Sequence, residues 1–216
     1  MNLDDLKLDS LGINKNTFGK IYTFVDFGNV NKWFDKDVWG LNDHLAKDQK
    51  LIVDIIKMGE FINLFSEKKW FYYGINQRSN SSLHLTIKAK NNGFKTVSKD
   101  IQWIKHYLLA DEESAYKTIF SGRIKKDDRG YYLLIPKCNF DVEICLDAMR
   151  LIDKYDTICL FSSDSDFARL LAYLKQRGKK IILIKGGNIS STLKNVADVI
   201  ISAQNIKLSL CSEKAS

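Results

Sequence analysis

The sequence predicts an α/β fold: a three-layer, open, mostly parallel sheet with helices on both faces and an inserted β-hairpin. Three observations carry this expectation. First, six short apolar runs recur along the 216 residues: IYTFV (21–25), WFYYGI (70–75), FKTV (94–97), TICLF (157–161), IILI (181–184) and VIIS (199–202). Second, these runs are continuously apolar and do not alternate, as strands buried on both faces of a parallel sheet are. Third, helically spaced segments separate several of them, and strand–helix alternation favours right-handed crossovers within one open sheet.

Taken in order, residues 1–19 form a lead segment ahead of a single domain expected over 20–204, and 205–216 form a tail. After the first run, Leu51, Ile55, Met58, Ile62 and Phe65 recur at steps of three and four, the spacing of one helix face. The stretch 98–120 is ambiguous, with Ile101, Ile104 and Leu108 hinting at a helix. SGRIKKDDRGYYLLIPK (121–137) reads as the inserted hairpin, turning at Asp127 to Gly130. A helix follows from about Asp141, with Val142, Cys145, Met149 and Ile152 on its apolar face. Another is expected over 165–177, where Phe167, Leu170, Leu171 and Leu174 repeat the pattern and Gly178 marks the stop.

Composition narrows the function classes. The N-terminus MNLDDLKLDSLGINK lacks a basic start and an apolar run, and no stretch approaches the ~20 apolar residues that span a bilayer, so a cytoplasmic protein is expected. Four cysteines (Cys138, Cys145, Cys159, Cys211) show no CxxC spacing, which argues against a zinc knuckle or a disulfide framework. Three histidines (His44, His84, His106) stand far apart, disfavouring histidine-based acid–base chemistry. A net charge of +7 and a pI near 9.1 permit an acidic polymer as partner without requiring one.

The acids are more specific. In open α/β sheets, sites form beyond the carboxyl ends of strands at a topological switch point. Asp26 ends the first run and is followed by Asn29, Asp164 and Asp166 follow TICLFSS, and Asp141 opens a helix. Two carboxylates ~4 Å apart at an effective dielectric near 20 repel by about 4 kcal/mol, so either a cation or solvent must offset the cluster. Each acid also has a local reading. Asp164 and Asp141 can be N-caps, Asp166 can favour the positive end of its helix, and Asn29 can close a turn. Asp147 lies six positions after Asp141, about 120° around a helix of 3.6 residues per turn. Oxygen ligands without nearby His or Cys suit Mg²⁺ or Mn²⁺.

VDFGNV, KCNFDVEICLDAM, SSDSDFARLL and NISSTLKNVADVII, in that order over roughly residues 20 to 204, resemble the NYN domain family of PIN-like, metal-dependent ribonucleases. The resemblance rests on Asp-x-x-Asn at 26–29, on Asp141 and Asp147 in one helix after Lys137, on Ser-x-Asp-Ser-Asp-Phe at 162–167, and on Ser-x-x-Leu-x-x-x-Ala-Asp at 190–198. The chain departs from the family pattern at Phe27, where a small residue is frequent, at Ser163, where glycine is common, and at Asn139-Phe140. None of these departures removes an acid.

The resemblance implies a Rossmann-like, PIN-type sheet and an endoribonuclease that hydrolyses RNA phosphodiester bonds with a metal-activated water. It implies metal-ligand roles for Asp26, Asp141 and Asp164, a ligand or water-positioning role for Asp166, and a hydrogen-bonding role for Asn29. Asp147 is a weaker candidate ligand, and Asp198 reads as structural. Lys137 and Lys185 on the active edge would hold the RNA backbone, and Trp33 and Trp39 would stack bases of single-stranded or looped RNA. For each of these four, a solvated surface or a buried excursion is an equally good reading. A homo-oligomer is compatible with the sequence but not indicated by it. Two competing functions are a non-catalytic RNA-binding or assembly module on the same scaffold, and a magnesium-dependent phosphohydrolase. The second is disfavoured because DFGNV offers neither a Gly-rich phosphate loop nor an Asp-x-Asp nucleophile motif.

Overall fold

The computed structural model describes residues 3–35, 37, 51–109 and 124–213. Two short helices, α1 (Leu3–Ser10) and α2 (Lys15–Phe18), lead into β1 (Ile21–Asp26), which passes directly into the single turn α3 (Phe27–Val30). Then come β2 (Leu51–Val53), α4 (Ile55–Asn63), β3 (Lys68–Tyr72), α5 (Ser81–Asn91), β4 (Lys95–Val97), β5 (Gln102–Tyr107), β6 (Ile124–Asp127) and β7 (Gly130–Lys137). The remainder is α6 (Asp141–Arg150), β8 (Thr157–Phe161), α7 (Ala168–Gln176), β9 (Lys180–Lys185), α8 (Ser191–Val196), β10 (Val199–Ser202) and β11 (Cys211–Glu213).

Six strands form one parallel sheet in the order β10-β9-β8-β1-β3-β4. The chain starts in the middle at β1, winds outward through β3 and β4, then returns to the other side of β1 with β8 and winds outward again. The reversal lies between β1 and β8, whose paired ends are Val25 and Phe161. Side-chain alternation divides the core into two layers. Val25, Phe71, Phe161 and Ile184 meet Ile55, Met58 and Ile62 of α4, while Phe24, Tyr72, Leu160 and Leu183 meet Ile144 of α6 and Leu171 and Leu174 of α7. Both ends of the chain join the first layer through Leu8, Ile13, Leu210 and Cys211.

Several elements differ from the periodicity reading. Leu51 and Phe65 continue the spacing of α4, but the helix covers only Ile55–Asn63. The Asp54 carboxylate accepts from the Ile56 amide at 2.8 Å and caps the helix there. Residues 51–53 instead pair antiparallel with β11, which satisfies their main chain. The helix hinted at by Ile101, Ile104 and Leu108 is the strand β5, because β7 supplies a full antiparallel partner from Gln102↔Lys137 to Tyr107↔Tyr132. Its residues 110–120 lie outside the described residues. The helix expected over 165–177 is a 3₁₀ turn, Ser165–Phe167, followed by α7. The hairpin is β6–β7, with Asp127 opposite Gly130 as expected, and with β5 it makes a separate three-stranded sheet. Gly130 takes φ 126°, a conformation that favours glycine.

Phe24 is fully buried and stacks on Trp70 with ring centroids 4.9 Å apart. Phe24→Ala should cost about 3–5 kcal/mol in a urea melt, whereas Leu208→Ala, 72% exposed, should stay within about 0.5 kcal/mol. Equal losses for the two would contradict the described core.

Candidate functional site

The β1–β8 register decides what lies at the crevice. One residue beyond the last pair, β1 presents Asp26 and β8 presents Ser162, which is fully buried. The Ser162 hydroxyl donates to Asp26 Oδ2 at 3.1 Å and accepts from the Asp164 amide at 3.2 Å, so one small side chain ties both strand ends together. Asp164 caps the 3₁₀ turn by accepting from the Asp166 amide at 3.0 Å. Asp141 sits at the first position of α6, where the Asn139 side chain accepts from its amide at 2.8 Å and donates to its Oδ2 at 2.7 Å.

These local caps also aim carboxylates at one point. Asp141, Asp164 and Asp166 each offer an oxygen within 4.8 Å of the others, the one such group of potential metal ligands among the described residues. Asp26 is not a member of that trio, but it lies close enough to feel Asp141 and Asp164. Burial pushes its carboxyl up to about 6, the two neighbouring acids push the same way, and the Ser162 hydrogen bond opposes them. Burial also raises Asp141, with Asp164 and Asp166 adding to the effect and Asn139 opposing it. Charge is therefore costly here without a cation, and three converging carboxylates form a donor set that a divalent cation fits.

Asp26, Asp141 and Asp164 line a cleft of about 660 Å³, together with Asn29, Lys32, Trp33, Tyr73, Pro136 and Lys137. Asn29 holds two elements at once: its Oδ1 accepts from Trp33 Nε1 at 2.8 Å and from the Ser163 amide at 3.2 Å. Trp33 stacks parallel to Phe161 at 6.3 Å and lies so close over Gly186 that an added Cβ would come within 2.4 Å of the indole. Ser163 donates to the Gly186 carbonyl at 2.7 Å and accepts from its amide at 2.9 Å, so serine here tethers the loop after β9. Phe27 packs on Phe71 and Tyr73 in the core.

Other sequence candidates fall elsewhere. Asp147 is not brought to the cluster; it accepts from the Tyr72 hydroxyl at 2.8 Å and pairs with Arg150 at 2.5 Å. Asp198 accepts from the Ile181 amide at 2.8 Å and pairs with Lys175, a structural role. Lys185 turns its ammonium onto the Gly187 carbonyl at 2.5 Å. Trp39 and His44 lie outside the described residues. Sequence reasoning gave no role to Ser162, although it heads the Ser-x-Asp-Ser-Asp-Phe motif, and did not single out Lys32 or Tyr73. Ser162 carried a signal, since a hydroxyl directly after a wholly apolar strand has few solvent-facing options; Lys32 and Tyr73 carried none.

The NYN domain profile matches residues 20–208. The chain belongs to the NYN domain family. The NYN family is generally one of nucleases that act on RNA and typically depend on a divalent metal. Among curated proteins, the chain is 33% identical over 72 residues to the low amplitude and bright protein LabA of Synechococcus elongatus, covering 33% of this chain and 39% of that one. It is 35% identical over 127 residues to an uncharacterised protein of Methanocaldococcus jannaschii, covering 54% of this chain and 53% of that one. The chain thus spans about half or less of the length of these relatives. A crystal structure of a protein of unknown function from Vibrio parahaemolyticus aligns over 89% of this chain and 96% of its own with a TM-score of 0.59 at 19% identity, a likeness of fold. No described helix is long and apolar enough to cross a membrane.

Asp26 sets a pH dependence whose sign is opposite to that of a paired surface acid. Its folded value near 6 lies above the unfolded 3.8, so the folded state binds more protons between them. The stabilising contribution is complete below pH ~4 and is lost as pH rises through 6, amounting to about 2–3 kcal/mol. In EDTA, wild type should therefore lose that much more stability than Asp26→Asn between pH 4 and 7. Parallel stability profiles for the two proteins would refute the assignment.

Proposed function

We propose that the chain is a metal-dependent endoribonuclease that hydrolyses phosphodiester bonds of single-stranded or looped RNA. The observation that carries this reading is the convergence of Asp141, Asp164 and Asp166 within 4.8 Å beside buried Asp26, at the switch point of a parallel sheet. Membership of a family of nucleases supports it. Asp141, Asp164 and Asp166 would hold the cation, and an all-oxygen donor set favours Mg²⁺ or Mn²⁺ over softer metals. Such a cation would supply a Lewis acid for the phosphate and would lower the pKa of water, easing its deprotonation.

The chain's own groups complete the site. Burial raises the proton affinity of Asp26, and Ser162 holds its Oδ2 in place. Lys32 and Lys137, both on the cleft wall, would neutralise substrate phosphates, and the Trp33 ring fixed by Asn29 would receive a base. Among the described residues no histidine lines the cleft, and the reading needs neither a histidine pair nor a covalent side-chain nucleophile. The four cysteines are free thiols, which suits a reducing cytoplasm.

Cleavage of a labelled single-stranded RNA tests the proposal. Activity should vanish in EDTA, return with Mn²⁺ or Mg²⁺, and fall at least ~100-fold in Asp164→Asn, since even outer-sphere changes commonly cost 10–100-fold. Products should carry 5′-phosphate and 3′-hydroxyl ends. Cyclic phosphate ends, or cleavage that persists in EDTA, would overturn the reading, and RNA binding without cleavage would replace it with the non-catalytic module. In calorimetry, metal at about 100 times its dissociation constant should add about 2.7 kcal/mol to wild type and little to Asp141→Asn/Asp164→Asn.

A further inference from the structure

The separate sheet β5-β7-β6 is not explained by the cleft chemistry. None of the side chains in its three strands is fully buried. A small antiparallel sheet gains stability by covering an apolar face, so half-covered aromatics on both faces call for an explanation. Cross-strand register assigns its faces. Trp103 lies opposite Pro136, Lys105 opposite Leu134, Tyr107 opposite Tyr132, and Lys125 also opposite Tyr132, so these residues share one face. The contacts agree: the Tyr107 and Tyr132 rings are 5.7 Å apart, and Lys105 lies 4.5 Å above Tyr132. Arg78 lies 4.9 Å over Trp103.

This aromatic face is continuous with the cleft. Ile101, just before β5, and Pro136, across from Trp103, both line it. From that rim β7 runs eight residues outward, about 26 Å at ~3.3 Å per residue. The described strands and their turn carry five cationic side chains (Lys105, Lys125, Lys126, Arg129, Lys137) against Asp127 and Asp128. Asp127 is engaged by Lys105 at 2.5 Å and by the Tyr107 hydroxyl at 3.0 Å, which orients both side chains.

We propose that the Trp103/Tyr107/Tyr132 face is a landing strip for single-stranded RNA, leading it along the small sheet into the acidic cleft. The proposal rests on the RNA reading of the cleft and adds where the strand enters. Rings accept any base by stacking, cationic groups follow the phosphates, and neither interaction reads sequence. A duplex keeps its bases stacked on one another and cannot use the rings, so substrates should need an unpaired segment of about three nucleotides beside the cut site.

Fluorescence anisotropy in EDTA, with a labelled 12-nucleotide single strand and a blunt duplex, tests this without any cleavage. Tyr107→Leu and Tyr132→Leu, which keep apolar bulk, should each weaken single-strand binding about 5- to 100-fold and leave duplex binding unchanged. Lys125→Glu, an exposed change that spares the fold, should weaken binding and flatten its salt dependence. Lys126→Glu, one residue along on the opposite face, should weaken it less. Unchanged affinity in both tyrosine variants, or equal losses for Lys125→Glu and Lys126→Glu, would overturn the landing strip. Normal metal-dependent cleavage with unchanged affinities would reject only this surface. Face-specific binding without cleavage by wild type would reject only the nuclease.

Discussion

Parallel pairing of β1 with β8 is the constraint from which the site follows. Because the two strands run side by side to Val25 and Phe161, their next residues must emerge together, and they are an acid and a buried hydroxyl. Beyond this point the chain leads from β1 toward β3 and from β8 toward β9, on opposite sides, which leaves a crevice that α6 borders with Asp141. Moving β8 by one residue would send Leu160 and Phe161 to the wrong layers, so the core protects the register on which the site depends.

The same carboxylates serve two physical roles. Asp164 caps a turn, and Asp141 is locked by a reciprocal pair of bonds with Asn139. Those bonds fix direction but leave each carboxylate with lone pairs to spare, since an ionised carboxylate has about four acceptor sites. Local capping and convergence are therefore compatible explanations of one arrangement. The cost appears as raised proton affinity at Asp26 and Asp141. A strained electrostatic arrangement held by a stable core is what a cation-binding site requires before its ion arrives.

Much of this architecture was legible from residue order alone. The four inner strands of the parallel sheet were visible because burial on both faces leaves continuous apolar runs such as TICLF, whereas the edge strands β4 and β10 are only partly buried, and the turn at Asp127 to Gly130 was visible because its chemistry is local. Helix boundaries were less so: the spacing of Leu51 and Phe65 matches α4, but the cap at Asp54 and the distant partner β11 decide where the helix begins. β5 is ambiguous in the sequence for the same reason, its partner lying some thirty residues ahead. In the candidate site, acids at strand ends could be found, since strand ends could be found. Rotation about α6 could not be read finely enough to say that Asp147 turns toward Tyr72, and cleft-wall residues such as Tyr73 reveal themselves only in three dimensions.

The wide sequence gap between the two halves of the crevice bears on how the protein comes into being on the ribosome. Asp26 and its strand emerge well before β8, which sits against β1, carries the path to Asp164 and begins at Thr157. Until then β1 lacks one of its two neighbours, and the incomplete sheet offers an open edge with no assembled acid trio. Prematurely terminated products ending before β8 thus lack the trio, so any chemistry that depends on it is withheld until Asp166 has been translated.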